Sequence, residues 1–177
     1  GQGGPFVALD EGAGVAAAPV EPALLEVMLD LERLNLLRVA AARMPFGEPV
    51  TGARFTSGFG PRRDPINGRH GFHEGVDFAG RRGTPIRAAA DGVVTFSGWM
   101  RGYGRVVKIR HDFGFETVYA HLSRARVGEG ERIDRGTRIG DMGNTGRSTG
   151  THLHYEVRVD GEAVDPMKFI EAARNVL

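Results

Sequence analysis

The stretch Gly150 to Val157 reads GTHLHYEV and sets two of the chain's six histidines, His152 and His154, one residue apart. In a strand, side chains alternate between faces. His152, His154 and Glu156 then share one face, and Leu153, Tyr155, Val157 and Val159 share the other, which is the better core face. The two histidines stand with Cα atoms about 6.6 Å apart, at roughly 3.3 Å rise per residue. That separation suits two groups acting on one small centre, such as a metal and its water. The competing reading is a pair of exposed histidines on a polar strand face.

A second cluster is HEGVD, His73 to Asp77. His73 and Asp77 are spaced to meet on a helix, but Gly75 and the β-branched Val76 argue against a helix here. In a straight strand they stand about 13 Å apart, too far to share an ion. The chain must bend between them, and Gly75 permits a bend.

Together the clusters offer the donor set of a catalytic metal site. His73, Asp77 and one strand histidine supply two nitrogens and one oxygen, which suits zinc with an open fourth position. Bound zinc lowers the pKa of its water toward about 7 and polarises a carbonyl. The spacing leaves open which of His152 and His154 is the ligand. The remaining strand histidine would orient water or stabilise an oxyanion, and His121, at a strand end, is a candidate base or donor. Glu156 on the same face reads equally as an acceptor that orients a ligand imidazole and as an exposed strand carboxylate.

These groups need a scaffold, and turn signals between short apolar runs predict one that is mainly β. Strand signals recur from Arg54-Phe55-Thr56-Ser57 onward: Pro85 to Ala88, Val93 to Phe96, Arg105 to Ile109, Glu116 to Leu122, Thr137 to Gly140 and His152 to Val159. Asp91-Gly92 and Asp160-Gly161 are hairpin signals. Asp165-Pro166 predicts the start of a short terminal helix from Met167 to about Arg174. The expected fold is a compact antiparallel β-sandwich or folded sheet.

Ahead of it, residues 1–50 read as a separate segment. Residues 1–19 are rich in Gly, Ala and Pro and are expected to be a flexible N-terminal segment. An amphipathic helix is predicted over about residues 21–44, with Leu24, Leu25, Val27, Met28, Leu31, Leu34 and Leu37 forming an apolar stripe. That stripe must be covered by protein, because the polar face lacks the lysine band of a membrane-surface helix. A linker, PFGEPVTG, leads to the expected β domain, residues 51–177.

Composition narrows the chemistry. There is no cysteine, which excludes disulfides, thiolate zinc sites and a thiol nucleophile. No apolar run of about 18 residues or more exists, so no membrane span is expected, and no signal-peptide pattern opens the chain. Residues 1–50 carry three basic against seven acidic side chains, net −4, and residues 51–177 carry twenty against fifteen, net +5. A mildly basic domain favours a carboxylate-bearing substrate. The basic residues lack regular aromatic interleaving, so a nucleic-acid partner is not expected. GNTGRSTG, Gly143 to Gly150, lacks the Lys-Ser/Thr ending of a phosphate loop and reads instead as a flexible wall beside the site. Asn67 and Arg69 are placed to border a cleft, His70 in the Gly68–Phe72 loop reads as a solvent histidine sooner than as a substrate contact, and His111 at a turn reads as structural.

HEGVD, then YAHL, then GRSTGTHLHYEV resemble the lysostaphin/LytM-like zinc metallopeptidases, which cleave peptide cross-bridges of bacterial peptidoglycan. The likeness runs from about Thr51 to Ile170 and takes in SGFGPR, DGVV, the RIG turn and DPMKF. The resemblance implies His73, Asp77 and His154 as zinc ligands, with His121 and His152 as the catalytic histidines. It implies hydrolysis of D-alanyl–diaminopimelate cross-links and a periplasmic or cell-envelope location of the Gram-negative kind. Many relatives have proline at the position of Thr151 and serine at that of Asn144, both outside these five groups.

A different class of function is an activator or scaffold for other wall hydrolases, as in family members that have lost ligands. All five groups are kept here, which favours the enzyme. The N-terminal helix is expected to dock on the domain, on a regulatory protein or on a second copy. A lipoyl-type carrier needs a lysine at an exposed turn, and the only lysines, Lys108 and Lys168, lie in a strand and near the terminal helix.

Overall fold

A computed structural model describes residues 21–64 and 68–176. The described residues run α1 (Pro22–Arg43), β1 (Arg54–Ser57), β2 (Gly60–Arg63), β3 (His70–His73), β4 (Val76–Ala79), β5 (Pro85–Arg87) and β6 (Gly92–Met100). Then come β7 (Gly104–Arg110), β8 (Phe115–Ala120), β9 (Arg124–Ala125), β10 (Arg132–Ile133), β11 (Arg138–Asp141), β12 (His152–Val159), β13 (Glu162–Val164) and α2 (Met167–Val176). The expected mainly β, antiparallel architecture is what forms.

The main sheet has the order β1-β4-β12-β8-β7-β6-β10, with β13 paired to β12. A smaller sheet, β5-β11-β9, and the β2-β3 hairpin complete the strands. Alternation along β12 and β8 builds the core. Leu153, Tyr155, Val157 and Tyr119 point to one face and meet Ile86 and Ile139 of the smaller sheet in one buried cluster. The opposite face of the main sheet holds a lesser cluster of Val106, Val118 and Ala120, with Tyr103 packed beside it. His154 and Glu156 belong to that second face.

Local signals acted mostly as expected. Asp160 and Gly161 take φ of 50° and 88° in the two-residue turn between β12 and β13, the pair of positive angles such turns require. Asp165 Oδ1 accepts the Met167 backbone N–H at 3.0 Å and caps α2. Asp91-Gly92 is different. No hairpin forms there, because β5 pairs with β11 while β6 pairs with β7 and β10. Asp91 serves a tertiary purpose instead: its Oδ1 accepts the Arg135 backbone N–H at 2.7 Å and its carbonyl accepts from His111 Nδ1 at 2.7 Å.

Two compact units divide the chain between Arg38 and Val39. Within the larger, Met44 and Val50 pack into the core cluster. In α1, the seven residues of the expected stripe are all at least 50% exposed, and so are Leu29, Leu36 and Val39. At 100° per residue these extra positions carry apolar surface around most of the helix, so it is not a one-sided amphipathic helix. Among the described residues no helix is long and apolar enough to cross a membrane.

Candidate active site

The site begins with strand pairing. β4 and β12 run antiparallel with Asp77 directly opposite His154. His73 ends β3, in a different sheet, and the chain turns at Glu74-Gly75 into β4. Gly75 lies against β12, where an added Cβ would overlap the Tyr155 carbonyl oxygen and come within 2.9 Å of His154 Cε1. The glycine is needed for this close approach rather than for an unusual φ.

The three donors converge. His73 Nε2 lies 3.0 Å from His154 Nδ1 and 3.2 Å from Asp77 Oδ1. Asp77 Oδ1 lies 2.9 Å from His154 Nδ1. All three residues are buried. A tetrahedral zinc with bonds of about 2.0–2.1 Å holds its ligand atoms about 3.3 Å apart, close to these separations.

Hydrogen bonds fix which lone pairs face the centre. His73 Nδ1 lies 2.7 Å from the Gly58 carbonyl oxygen. A carbonyl only accepts, so Nδ1 carries the proton and Nε2 is bare. His154 Nε2 lies 2.9 Å from Glu156 Oε1, and Glu156 is fully buried. With its Nε2–H given to Glu156, His154 turns a bare Nδ1 to the centre. Two imidazole nitrogens and a carboxylate oxygen at these separations suit a shared cation, a metal ion or a proton. Without a metal the cluster must hold a proton. Burial opposes charge on His154, but the Asp77 and Glu156 carboxylates outweigh it and push its pKa up to about 9. For Asp77, burial raises the pKa, yet the bonds to His154 and His73 hold its carboxyl well below the usual carboxylate range. The donor set fits a divalent metal.

Around it stand the other two predicted histidines. His121 and His152 line the same cleft, a cavity of about 560 Å³, with ring centroids 4.7 Å apart. His121 follows β8 with φ of 60°, uncommon for a residue with a side chain. Its Nδ1 lies 2.8 Å from the Thr145 carbonyl oxygen. His152 Nδ1 lies 2.8 Å from the Gly150 carbonyl oxygen, and its Nε2 is 3.8 Å from Asp77 Oδ1. Both rings therefore carry the proton on Nδ1 and keep a lone pair on Nε2. Burial holds His121 neutral, with its pKa down to about 4.

Several residues in or behind this cleft have no motif to announce them. Tyr103 donates its hydroxyl to Glu156 Oε1 at 2.9 Å. Burial, and then the Glu156 charge, push its pKa far up. Arg158 Nε donates to Glu156 Oε2 at 2.7 Å and its Nη2 pairs with Glu74. Arg62 Nη2 reaches Asp77 Oδ2 at 3.4 Å. The Gly143–Gly150 loop forms one wall, but it is pinned rather than flexible. Thr145 Oγ1 donates to the Leu122 carbonyl at 2.8 Å, Arg147 N donates to the Gly102 carbonyl at 2.8 Å, and Gly146 abuts the Gly104 backbone. His70 is exposed on β3, and His111 is buried away from the cleft. Asn67 lies outside the described residues.

Residues 71–166 match the family described as Peptidase family M23.

The chain belongs to peptidase family M23.

It is 51% identical over 120 residues to a DD-carboxypeptidase/endopeptidase, Mpg, of Neisseria meningitidis, covering 68% of this chain and 28% of that protein. It is 45% identical over 119 residues to the peptidoglycan DD-endopeptidase ShyC of Vibrio cholerae, covering 67% of this chain and 28% of the relative. The chain thus spans less than a third of the length of these two curated M23 relatives. Among solved structures, a zinc-containing peptidase from Vibrio cholerae matches at 38% identity and TM-score 0.64, over 69% of this chain and 38% of that one. The catalytic domain of lysostaphin from Staphylococcus simulans matches at 35% identity and TM-score 0.62, over 67% of this chain and 92% of that one.

Proposed function

We propose that this M23 chain is a zinc-dependent endopeptidase that hydrolyses D-alanyl–diaminopimelate cross-links of peptidoglycan in the periplasm or cell envelope. One observation carries the reading: donor atoms of His73, Asp77 and His154 meet at 2.9–3.2 Å, with two imidazoles beside them in the same cleft. The relatives named as peptidoglycan DD-endopeptidases support the substrate class.

His73, Asp77 and His154 hold the metal. Zinc bound there supplies Lewis acidity toward a carbonyl and makes a water acidic near neutral pH. His152 keeps its Nδ1–H on Gly150, which aims a bare Nε2 at the donor set to take the proton of the attacking water. His121 is held the same way by Thr145 and forms the second proton-handling group. After the amide carbon is attacked, a proton returned from one of these rings to the departing nitrogen completes the cleavage. Glu156 keeps His154 in the tautomer that presents Nδ1.

Digestion of purified cross-linked sacculi by the wild type and by His154→Ala, with metal analysis of both, tests the proposal. Loss of both metal and product in the variant is expected. Equal product from the two proteins would sink the zinc mechanism, and the identity of the product names the bond cut.

The exposed apolar surface of α1 supports a regulatory protein or a second copy as a further partner. Sedimentation of the chain with and without Leu31→Glu tests self-association. A concentration-independent monomer in both would remove the second copy.

A further inference from the structure

The cleft is lined by four carboxylates, Asp64, Glu74, Asp77 and Glu156, and its basic residues are Arg62 and Arg147. An acidic stem peptide entering it needs a cation besides the metal. Arg62 is engaged with Asp77 Oδ2 at 3.4 Å, so withdrawing it would release a donor carboxylate. Arg147 is engaged elsewhere, through Nη2 with Asp64 Oδ2 at 2.5 Å. We propose that Arg147 recognises a carboxylate of the substrate beside the scissile bond, and that Asp64 holds its guanidinium in position until the substrate exchanges for it. This rests on the endopeptidase reading above.

Position is the first support. Arg147 has a fixed backbone: its N–H is bonded to the Gly102 carbonyl at 2.8 Å. Gly146 before it has φ of 73° and lies against the Gly104 backbone. Ser148 after it places Oγ 3.1 Å from His152 Nδ1. The guanidinium is therefore carried by the same short wall that orients a histidine of the site. Asp64 directly follows β2, and the β2-β3 hairpin bears His73. The ion pair thus joins the two walls that supply the site.

Energetics are the second. The Arg147 and Asp64 side chains are 48% and 22% exposed. Ion pairs this open are weakly held, so replacing one carboxylate by another costs little. Arg147 offers Asp64 one nitrogen, Nη2, whereas its fork can bind a carboxylate in two-point fashion.

Substrate chemistry is the third. In a D-alanyl–diaminopimelate cross-link, the carbon bearing the scissile nitrogen also bears a carboxylate. A receptor for that group must stand beside the proton-handling histidines, where Arg147 is.

Two soluble cross-linked dimers test this, identical except that this carboxylate is free in one and amidated in the other. KM and kcat are measured for the zinc-loaded wild type, Arg147→Ala, Arg147→Lys and Asp64→Asn, with zinc content and melting temperature as controls. The wild type should prefer the free acid. In Arg147→Ala the KM penalty should be about tenfold larger for the free acid than for the amide. Arg147→Lys should recover part of that difference, and Asp64→Asn should lower KM for the free acid. Equal losses on both dimers, a loss in kcat alone, or no loss at all would overturn the proposal. A wild type that cleaves both dimers equally overturns it while leaving the endopeptidase reading intact. A zinc-loaded wild type that cleaves neither dimer overturns that reading first, and this inference with it.

Discussion

His154 is held between two carboxylates, with Nδ1 2.9 Å from Asp77 Oδ1 and Nε2 2.9 Å from Glu156 Oε1. Asp77 faces it from the neighbouring strand, and Glu156 lies two residues along its own strand. In the proposed metal site one carboxylate would share the ion with the ring, and the other fixes which nitrogen faces it.

If the proposed site holds zinc, Glu156 tunes its binding through the His154 ring without touching the metal. Glu156→Gln keeps an oxygen for His154 Nε2–H but loses the charge, and should weaken zinc affinity about 10–100-fold. Competition with a chromogenic chelator measures this directly. An unchanged affinity would show that backbone and packing alone hold the His154 ring.

His121 and His152 separate from the ligands by a different signature. His121→Ala and His152→Ala should each retain zinc and lose about 10²–10⁴-fold in kcat. Metal content beside turnover on sacculi distinguishes the two groups. A variant that loses both metal and turnover would move that histidine into the donor set.

Gly75 should tolerate no side chain. An added methyl group overlaps the Tyr155 carbonyl and presses on His154 Cε1 and Glu156 Cγ, at 2.9 Å and 3.0 Å. Gly75→Ala is expected to cost about 1–3 kcal/mol in stability and to disturb the metal centre as well. Gly128→Ala, where an added Cβ meets nothing within 4 Å, is the matched control. Urea unfolding of the two variants checks the difference.

His111 gives the fold a pH dependence outside the site. Its ring lies between the Asp91 carbonyl and Thr117 Oγ1, each at 2.7 Å. Burial lowers its pKa, against the opposing pull of the Asp91 carbonyl and nearby acids. The unfolded chain binds this proton more readily than the folded one. The stabilisation is thus full above the unfolded value of about 6.5 and is lost as pH falls below it toward the folded value. His111→Gln should flatten the decline in urea stability between about pH 7.5 and 5.5. An identical slope in both proteins would remove His111 as its source.

What the sequence determined is what neighbours along the chain encode. Alternation in GTHLHYEV set Leu153, Tyr155 and Val157 on the core face and turned His152 and His154 away from it together. Asp160-Gly161 encoded its own turn, because those residue types tolerate the positive φ it needs. The motifs also named five residues that line one cleft. Tertiary structure decided the rest. Asp91-Gly92 carries the same turn signal, yet β5 and β6 joined different partners, since pairing depends on strands far along the chain. Burial of Glu156, the approach of Tyr103 and the Asp64–Arg147 pair depend on elements that carry no mark of one another in sequence. The convergence of His73 on His154 is likewise non-local. It needs β4 registered against β12 and a glycine thin enough to lie over it, so the distance that made HEGVD unconvincing as an extended strand disappears only when the sheet forms.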